Sequence, residues 1–177
     1  MKKITVALLL SLLLITPLCA CQKQVSDTDS NSDQTQVTPK GDDETEKEPS
    51  FTVKDIADDL SKNAAFPVMY VMTDEEIERQ FDFSADLFSE LYASAADQYP
   101  GIERIFIGKL KDGENKQTVI DSLNQYLETL KAEYIDYVPS EYDKAKNVSV
   151  YDKDDYVCLV IAEDSAEALK IVKNYIK

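Results

Sequence analysis

The sequence predicts an α+β domain with a four-stranded antiparallel sheet, made of two hairpins, and with helices packed mainly on one face. Two observations lead to this fold class. Apolar residues recur at steps of three and four over residues 115–138, which is typical of an amphipathic helix. Runs of β-branched and aromatic residues with turn signals lie on both sides of that helix, which is typical of hairpins. The predicted order is therefore α-α-β-β-α-β-β-α, and the repeated hairpin–helix unit hints at an internal structural duplication.

Two short helices open the predicted domain, and each begins at a threonine. Thr52 precedes residues whose apolar side chains recur on one helical face. Thr73 starts a capping-box sequence, and its helix is expected to end near Phe81. Between them lies an apolar run, residues 66–72, that Pro67 interrupts. This run suits an edge strand or a buried extended segment.

The two hairpins are predicted over residues 87–110, with strands near 87–95 and 102–110, and over residues 148–162, with strands 148–151 and 156–162 on either side of a turn at 152–155. Residues 87–95 fit a helix as well as one face of a strand, whereas 102–110 is strongly β-like after the Pro100-Gly101 turn signal. Residues 156–161 are apolar on both faces, which places that strand in the middle of the sheet. We expect Pro139 to stop the long helix and Asp164 to cap the last one.

The first twenty-one residues have the pattern of an export signal. Lys2 and Lys3 precede an apolar run over residues 4–15, which is shorter than the roughly 20 residues of a membrane-spanning helix. Leu18-Cys19-Ala20-Cys21 resembles the bacterial lipobox, a motif that implies cleavage before Cys21 and lipid attachment to its thiol. The alternative is an ordinary cleaved signal in which Cys21 is incidental.

These features divide the chain into a signal peptide (1–20), a lipidated cysteine with a disordered polar tether (21–50) and one domain (51–177). The tether contains two valines and no other large apolar residue, too few to form a core. Removing residues 1–20 takes away two lysines and no acid, so the net charge changes from −15 to −17. Such acidity argues against nucleic acid as a partner. We expect a protein on the extracytoplasmic face of the cell membrane that is held there by its N-terminal lipid.

The side chains that most often carry catalysis are scarce. Histidine is absent, which excludes Ser-His and Cys-His nucleophile pairs and the usual zinc site. Once Cys21 is acylated, Cys158 is the remaining thiol of the mature chain, and its apolar strand predicts a buried, inert side chain. Asp152, Asp154 and Asp155 could bind Ca²⁺ weakly, but their spacing matches no calcium-loop signature. We therefore expect no catalytic residue, no cofactor and no metal.

Tyrosine is common in this chain, with ten residues. Tyr134, Tyr137 and Tyr142 cluster around the end of the long helix, where they either pack with their hydroxyls at the surface or form an aromatic patch for peptide or glycan. Our hypothesis is a monomeric, non-catalytic module that binds another envelope protein or peptide through the sheet face or this helix end. The alternatives are a carboxylate-based hydrolase at the cell surface and a structural or stress-related lipoprotein without a specific ligand.

The chain also resembles a known family, domain of unknown function 4358, whose members are lipoproteins common in clostridia and their relatives. The resemblance covers about residues 52–176 and depends on the stretches 102–112, 134–139 and 156–161. It implies strand rather than helix at residues 87–95 and brings no activity with it. Residues 94–99 depart from the family pattern, because related sequences tend to have a shorter Gly- or Ser-rich turn there.

Overall fold

The computed structural model describes residues 50–177. The predicted signal peptide (1–20), the lipidation site Cys21 and the tether up to residue 49 lie outside the described residues. The elements are, in order, α1 (Val53–Asn63), β1 (Met69–Val71), α2 (Asp74–Phe81), a short 3-10 turn (Ala85–Leu87), β2 (Phe88–Ala96), β3 (Arg104–Leu110), α3 (Lys116–Tyr134), α4 (Pro139–Ala145), β4 (Tyr151–Lys153), β5 (Tyr156–Ile161) and α5 (Ser165–Tyr175). Within this part of the chain no helix is long and apolar enough to cross a membrane.

The α+β class and the antiparallel sheet are confirmed, but the prediction of four strands is wrong. The sheet has five strands in the order β1-β2-β3-β5-β4, and every neighbouring pair is antiparallel. The additional strand is β1, which lies at the edge where the apolar run 66–72 was interpreted as an edge strand or an extended segment. β1 has only three residues, too few to show the alternation that marks a strand in a sequence.

Helices cover both faces of the sheet, so the prediction that they pack mainly on one face is also wrong. One core lies between the sheet and α2, α3 and α4, and the other lies between the sheet and α1 and α5. The cause is the two-sided apolar character of the central strands. Ile105 and Phe106 are neighbours on β3, point to opposite faces and are both buried. All six residues of β5 are buried too, as the sequence predicted.

The helix starts agree with the capping residues predicted from the sequence. Thr52 and Thr73 each form a capping box, and Asp164 accepts a hydrogen bond from the third residue of α5. The role predicted for Pro139 is wrong. The long helix ends at Tyr134, and Pro139 begins α4 at a position where its missing N–H leaves no bond unmade.

The hairpins differ in how well the sequence located them. Residues 87–95 form a strand, as the family resemblance implied, with β2 one residue further along. In the second hairpin the first strand is β4 rather than residues 148–151, so Asp152 lies in a strand and the turn consists of Asp154 and Asp155. Asp154 has a φ of 49°, the left-handed conformation that a two-residue turn requires.

Candidate functional site

The structure places the three candidate tyrosines, Tyr134, Tyr137 and Tyr142, in different surroundings. Tyr134 is the last residue of α3 and only 8% of its surface is exposed, whereas Tyr137 follows it in the α3–α4 connection and is 83% exposed. Tyr142 lies in α4, where it packs half-buried against the core that α3 also contacts. The structure therefore brings Tyr134 and Tyr137 together and gives Tyr142 a packing role.

Tyr99 and Glu133, which were not among the candidate residues predicted from the sequence, complete this site. Tyr99, Glu133, Tyr134 and Tyr137 line a surface cavity of about 390 Å³, here called the tyrosine cleft. Tyr99 belongs to the loop between β2 and β3, and like Tyr137 it is 83% exposed. A helix that packs back along the second strand of a hairpin ends near the hairpin loop. That topology is the signal that could have joined Tyr99 to the end of α3.

Glycine and arginine residues fix the loop that presents Tyr99. The Gly101 N–H donates to the Gln98 carbonyl oxygen at 2.8 Å. A Cβ atom on Gly101 would lie 2.6 Å from Ala96 Cβ and 2.8 Å from that same oxygen, so a side chain does not fit there. The Arg104 guanidinium donates to the Gly101 carbonyl oxygen at 3.3 Å and to the Tyr126 hydroxyl of α3 at 2.8 Å. Arg104 thus connects the loop to α3.

The cleft combines aromatic faces with negative charge. Burial raises the pKa of the Tyr134 phenol, although the Arg104 cation acts in the opposite direction, so this hydroxyl stays neutral at physiological pH. No lysine or arginine is among the four lining residues, and Glu133 contributes a carboxylate. Such a lining favours cationic side chains and ligands that stack on aromatic rings.

A second polar group, here called the lysine cluster, consists of Lys144 with Glu103, Glu141 and Glu163. The Lys144 ammonium lies 2.6 Å from Glu103 Oε1, 2.9 Å from Glu141 Oε1 and 3.1 Å from Glu163 Oε2. Burial by itself lowers the pKa of Lys144, but these hydrogen bonds outweigh it and the pKa is raised. The amine therefore stays protonated and is no nucleophile at neutral pH.

Glu103 is the most unusual member of the lysine cluster. Only 4% of its surface is exposed, and its Oε2 atom has no hydrogen-bond partner within residues 50–177. Its other oxygen binds Lys144, so β3 is tied to α4. Glu141 adds a second tie because its Oε2 accepts from the Ile102 N–H at 3.2 Å. Because its carboxylates bind one protonated amine and link separate elements, the cluster is suited to holding the fold together.

The other candidate residues, Cys158 and the aspartates of the second hairpin, have surroundings that suit a structural role. Cys158 is free and buried, as predicted, and burial raises the pKa of its thiol to about 12, so it is not a nucleophile at neutral pH. Asp152 lies 2.8 Å from the Lys116 ammonium, which also donates to the Asp154 carbonyl oxygen at 2.9 Å. Lys116 thus pairs with one of the three aspartates of this hairpin. Residues 50–177 contain no group of three acidic, cysteine or histidine side chains placed to hold a metal ion.

The family model described as Domain of unknown function (DUF4358) matches residues 62–162. These residues make up more than half of the chain and run from the end of α1 through β5. The chain belongs to this family. The resemblance seen in the sequence is therefore confirmed, although α5 and most of α1 lie outside the matched part of the DUF4358 chain. The tyrosine cleft lies wholly inside it.

No curated protein and no solved structure matches the chain. The description of DUF4358 names no activity.

Proposed function

We propose that this DUF4358 protein is a lipid-anchored module on the extracytoplasmic face of the cell membrane, where it binds another envelope protein or peptide without catalysing a reaction. The observation that supports the proposal is the tyrosine cleft. Tyr99 and Tyr137, each 83% exposed, both line one cavity, and Ile135, which follows Tyr134 in the chain, is 47% exposed.

Exposed tyrosine pairs are typical of binding surfaces. A tyrosine ring offers a large contact area and loses little conformational entropy when it is fixed, which makes this residue common at the centres of interfaces. The core does not require Tyr99 or Tyr137, because both rings extend into solvent. Binding is therefore the role that best accounts for two such rings around one cavity. The sequence suggested two binding surfaces, the sheet face and the end of the long helix. The helix end is favoured, because helices already cover both faces of the sheet.

The charge of the cleft indicates the chemistry of the partner. Glu133 gives the lining a negative charge, and the whole chain has a net charge of −15. A lysine or arginine side chain placed over an exposed aromatic ring gains roughly 0.5–1 kcal/mol, and more when water is excluded. We therefore propose a peptide segment that presents a basic residue to Tyr99 and Tyr137.

The membrane anchor is proposed from the sequence. Acylation of Cys21 is favoured by three features of the N-terminus: Lys2 and Lys3, the apolar run at 4–15, and the lipobox-like Leu18-Cys19-Ala20-Cys21. Two or more acyl chains hold a protein stably on a bilayer, whereas one chain is marginal. The acidic domain would then stand away from anionic headgroups that repel it.

Replacing Cys21 tests the anchor. In the native host, Cys21→Ala should appear in the medium or stay unprocessed, because the thiol that receives the lipid is gone. Cys19→Ala is the matched control and should fractionate with membranes, since this residue leaves with the signal peptide. A Cys21→Ala protein of mature size that remains in the membrane fraction would reject the anchor.

Site-specific photocrosslinking tests the binding role. A photoreactive amino acid placed at Tyr99 or Tyr137 in living cells should give discrete crosslinked species that mass spectrometry can identify. The same amino acid at Asn174, which is exposed on α5, is the control and should not give them. Absence of crosslinks at both tyrosines, or the same species from Asn174, would contradict the proposal and favour a structural lipoprotein without a specific ligand.

A further inference from the structure

The open edge of β1 carries exposed apolar side chains. β1 is an outer strand of the sheet, and Val68 and Val71 are 70% and 63% exposed. Tyr70 between them is also exposed, and none of β1's three residues is charged. Natural sheets usually protect an edge strand with lysine, proline or a covering segment, because its free backbone groups attract other strands. This edge has Pro67 just before it, and among residues 50–177 neither a lysine nor a covering strand protects β1 itself.

The backbone of β1 leaves alternate residues available for pairing. The Asp97 N–H donates to the Val68 carbonyl oxygen at 2.9 Å, and the Met72 N–H donates to the Ala93 carbonyl oxygen at 3.0 Å. Residues that pair with β2 alternate with residues that point away from it in an antiparallel ladder. The N–H and carbonyl groups of Met69 and Val71 therefore point to the open edge.

Charge identifies the kind of strand that this edge accepts. Residues 63–78, which include β1, contain four acidic side chains and neither lysine nor arginine. β2 and the loop after it, residues 88–99, add Glu90 and Asp97 and again contain no lysine or arginine. A second copy of this chain would bring the same negative charge to the edge, whereas a basic peptide would complement it.

The edge is continuous with the tyrosine cleft. Asp97, which is hydrogen-bonded to Val68, begins the loop that presents Tyr99. A peptide that extends along β1 past Val68 therefore arrives at the loop that forms one side of the cleft.

From these observations we infer that β1 binds an extended, lysine- or arginine-bearing peptide of another protein by strand addition at its open edge. Main-chain hydrogen bonds to Met69 and Val71 hold the peptide, and its basic residues complement the acidic surface around the strand. This inference rests on the proposed function in one respect, which is that the partner is a peptide.

The test uses the full chain, purified in mild detergent, and a fluorescent peptide of sequence Lys-Thr-Val-Thr-Val-Thr-Lys. We expect saturable binding by fluorescence anisotropy and slower amide hydrogen exchange at Met69 and Val71. A peptide N-methylated at alternate residues cannot donate to the edge and should bind at least about tenfold more weakly. A peptide with Glu in place of both lysines should also bind more weakly.

A pair of variants makes the same test on the protein. Val71→Pro removes an outward-pointing N–H and leaves the bonds of Tyr70 and Met72 to β2 intact, so it should weaken binding of the lysine peptide at least about tenfold. Val71→Thr keeps the N–H and should bind within about twofold of the wild type. If Val71→Pro does not fold, the N-methylated peptide still decides the question.

Several outcomes would overturn strand addition: no saturable binding of the lysine peptide, equal binding of the N-methylated or Glu peptide, or equal binding by Val71→Pro and Val71→Thr. Dimerisation of the chain that Val71→Pro abolishes would also overturn it and assign the edge to a second copy. The proposed function is judged separately, because crosslinking at Tyr99 and Tyr137 does not depend on the edge.

Discussion

In the lysine cluster, the Lys144 amine and the carboxylates of Glu103 and Glu141 are largely withdrawn from water, whereas in the tyrosine cleft two aromatic rings are left in contact with it. Glu103 is 4% exposed and Tyr137 is 83% exposed, the reverse of what their side chains favour in isolation. A buried charge is tolerated because a partner is fixed beside it. An exposed ring needs no internal partner, so it remains available for an external one. Substitutions in the lysine cluster should therefore change stability, and substitutions in the tyrosine cleft should change binding.

The largest expected effect is that of Lys144→Met. This change removes the ammonium and leaves Glu103 buried without its partner, which should lower the free energy of unfolding by about 3–5 kcal/mol. Urea unfolding followed by circular dichroism measures it. Lys170→Met is the matched control, because the Lys170–Glu167 pair is exposed on α5 and should contribute little.

A second substitution shows whether the buried charge is the cause. Adding Glu103→Gln to Lys144→Met replaces the unpaired carboxylate by a neutral amide, so the double variant should regain part of the lost stability. If the double variant is less stable than Lys144→Met alone, the lysine cluster does not act as described.

Gly101→Ala should have the next largest effect, because Gly101 lies between the two regions. Its added Cβ would collide with Ala96 Cβ and approach Glu103 Oε2 to 3.2 Å. We expect a loss of about 1–3 kcal/mol in unfolding free energy, the usual range for an overpacked site. Gly113→Ala is the control, since a Cβ there meets nothing within 4 Å. Equal stability of the two variants would show that the loop adapts without strain.

The pH dependence of the lysine cluster should be smaller and confined to alkaline conditions. The pKa of Lys144 is raised above its ordinary value of 10.5 in the folded protein, so its contribution is fully present below pH 10.5. The stability difference between wild type and Lys144→Met should stay constant up to about that pH and then decrease as the pH rises further. Unfolding curves at a series of pH values measure it, and a difference that decreases between pH 7 and pH 9 would contradict the assignment.

The sequence predicted best those features that neighbouring residues decide. The caps at Thr52, Thr73 and Asp164 need only a few adjacent residues, and the burial of β5 follows from its own composition. The sequence also contained a sign of the second helix layer, because a strand that is apolar on both faces requires cover on both. The prediction of helices mainly on one face is wrong for this reason.

Features that depend on distant residues were missed. Glu103 and Lys144 are 41 positions apart, and no local pattern marks them as partners. Tyr99 lies in the loop where the chain departs from the family pattern, so it was not considered together with Tyr134 and Tyr137. Only the path of α3 back towards the β2–β3 loop brings these tyrosines to one cavity.

The most direct test of the tyrosine cleft is the affinity of Tyr137→Ser for the peptide segment of the partner that crosslinks at Tyr99 and Tyr137, with the unfolding free energy of this variant determined in parallel. We predict binding at least about tenfold weaker than that of the wild type, as for a residue at the centre of an interface, with an unfolding free energy within about 0.5 kcal/mol of the wild-type value. Tyr137→Phe, which keeps the ring, should bind nearly as well as wild type. Unchanged affinity in Tyr137→Ser, or a loss of stability as large as that of Lys144→Met, would contradict the account.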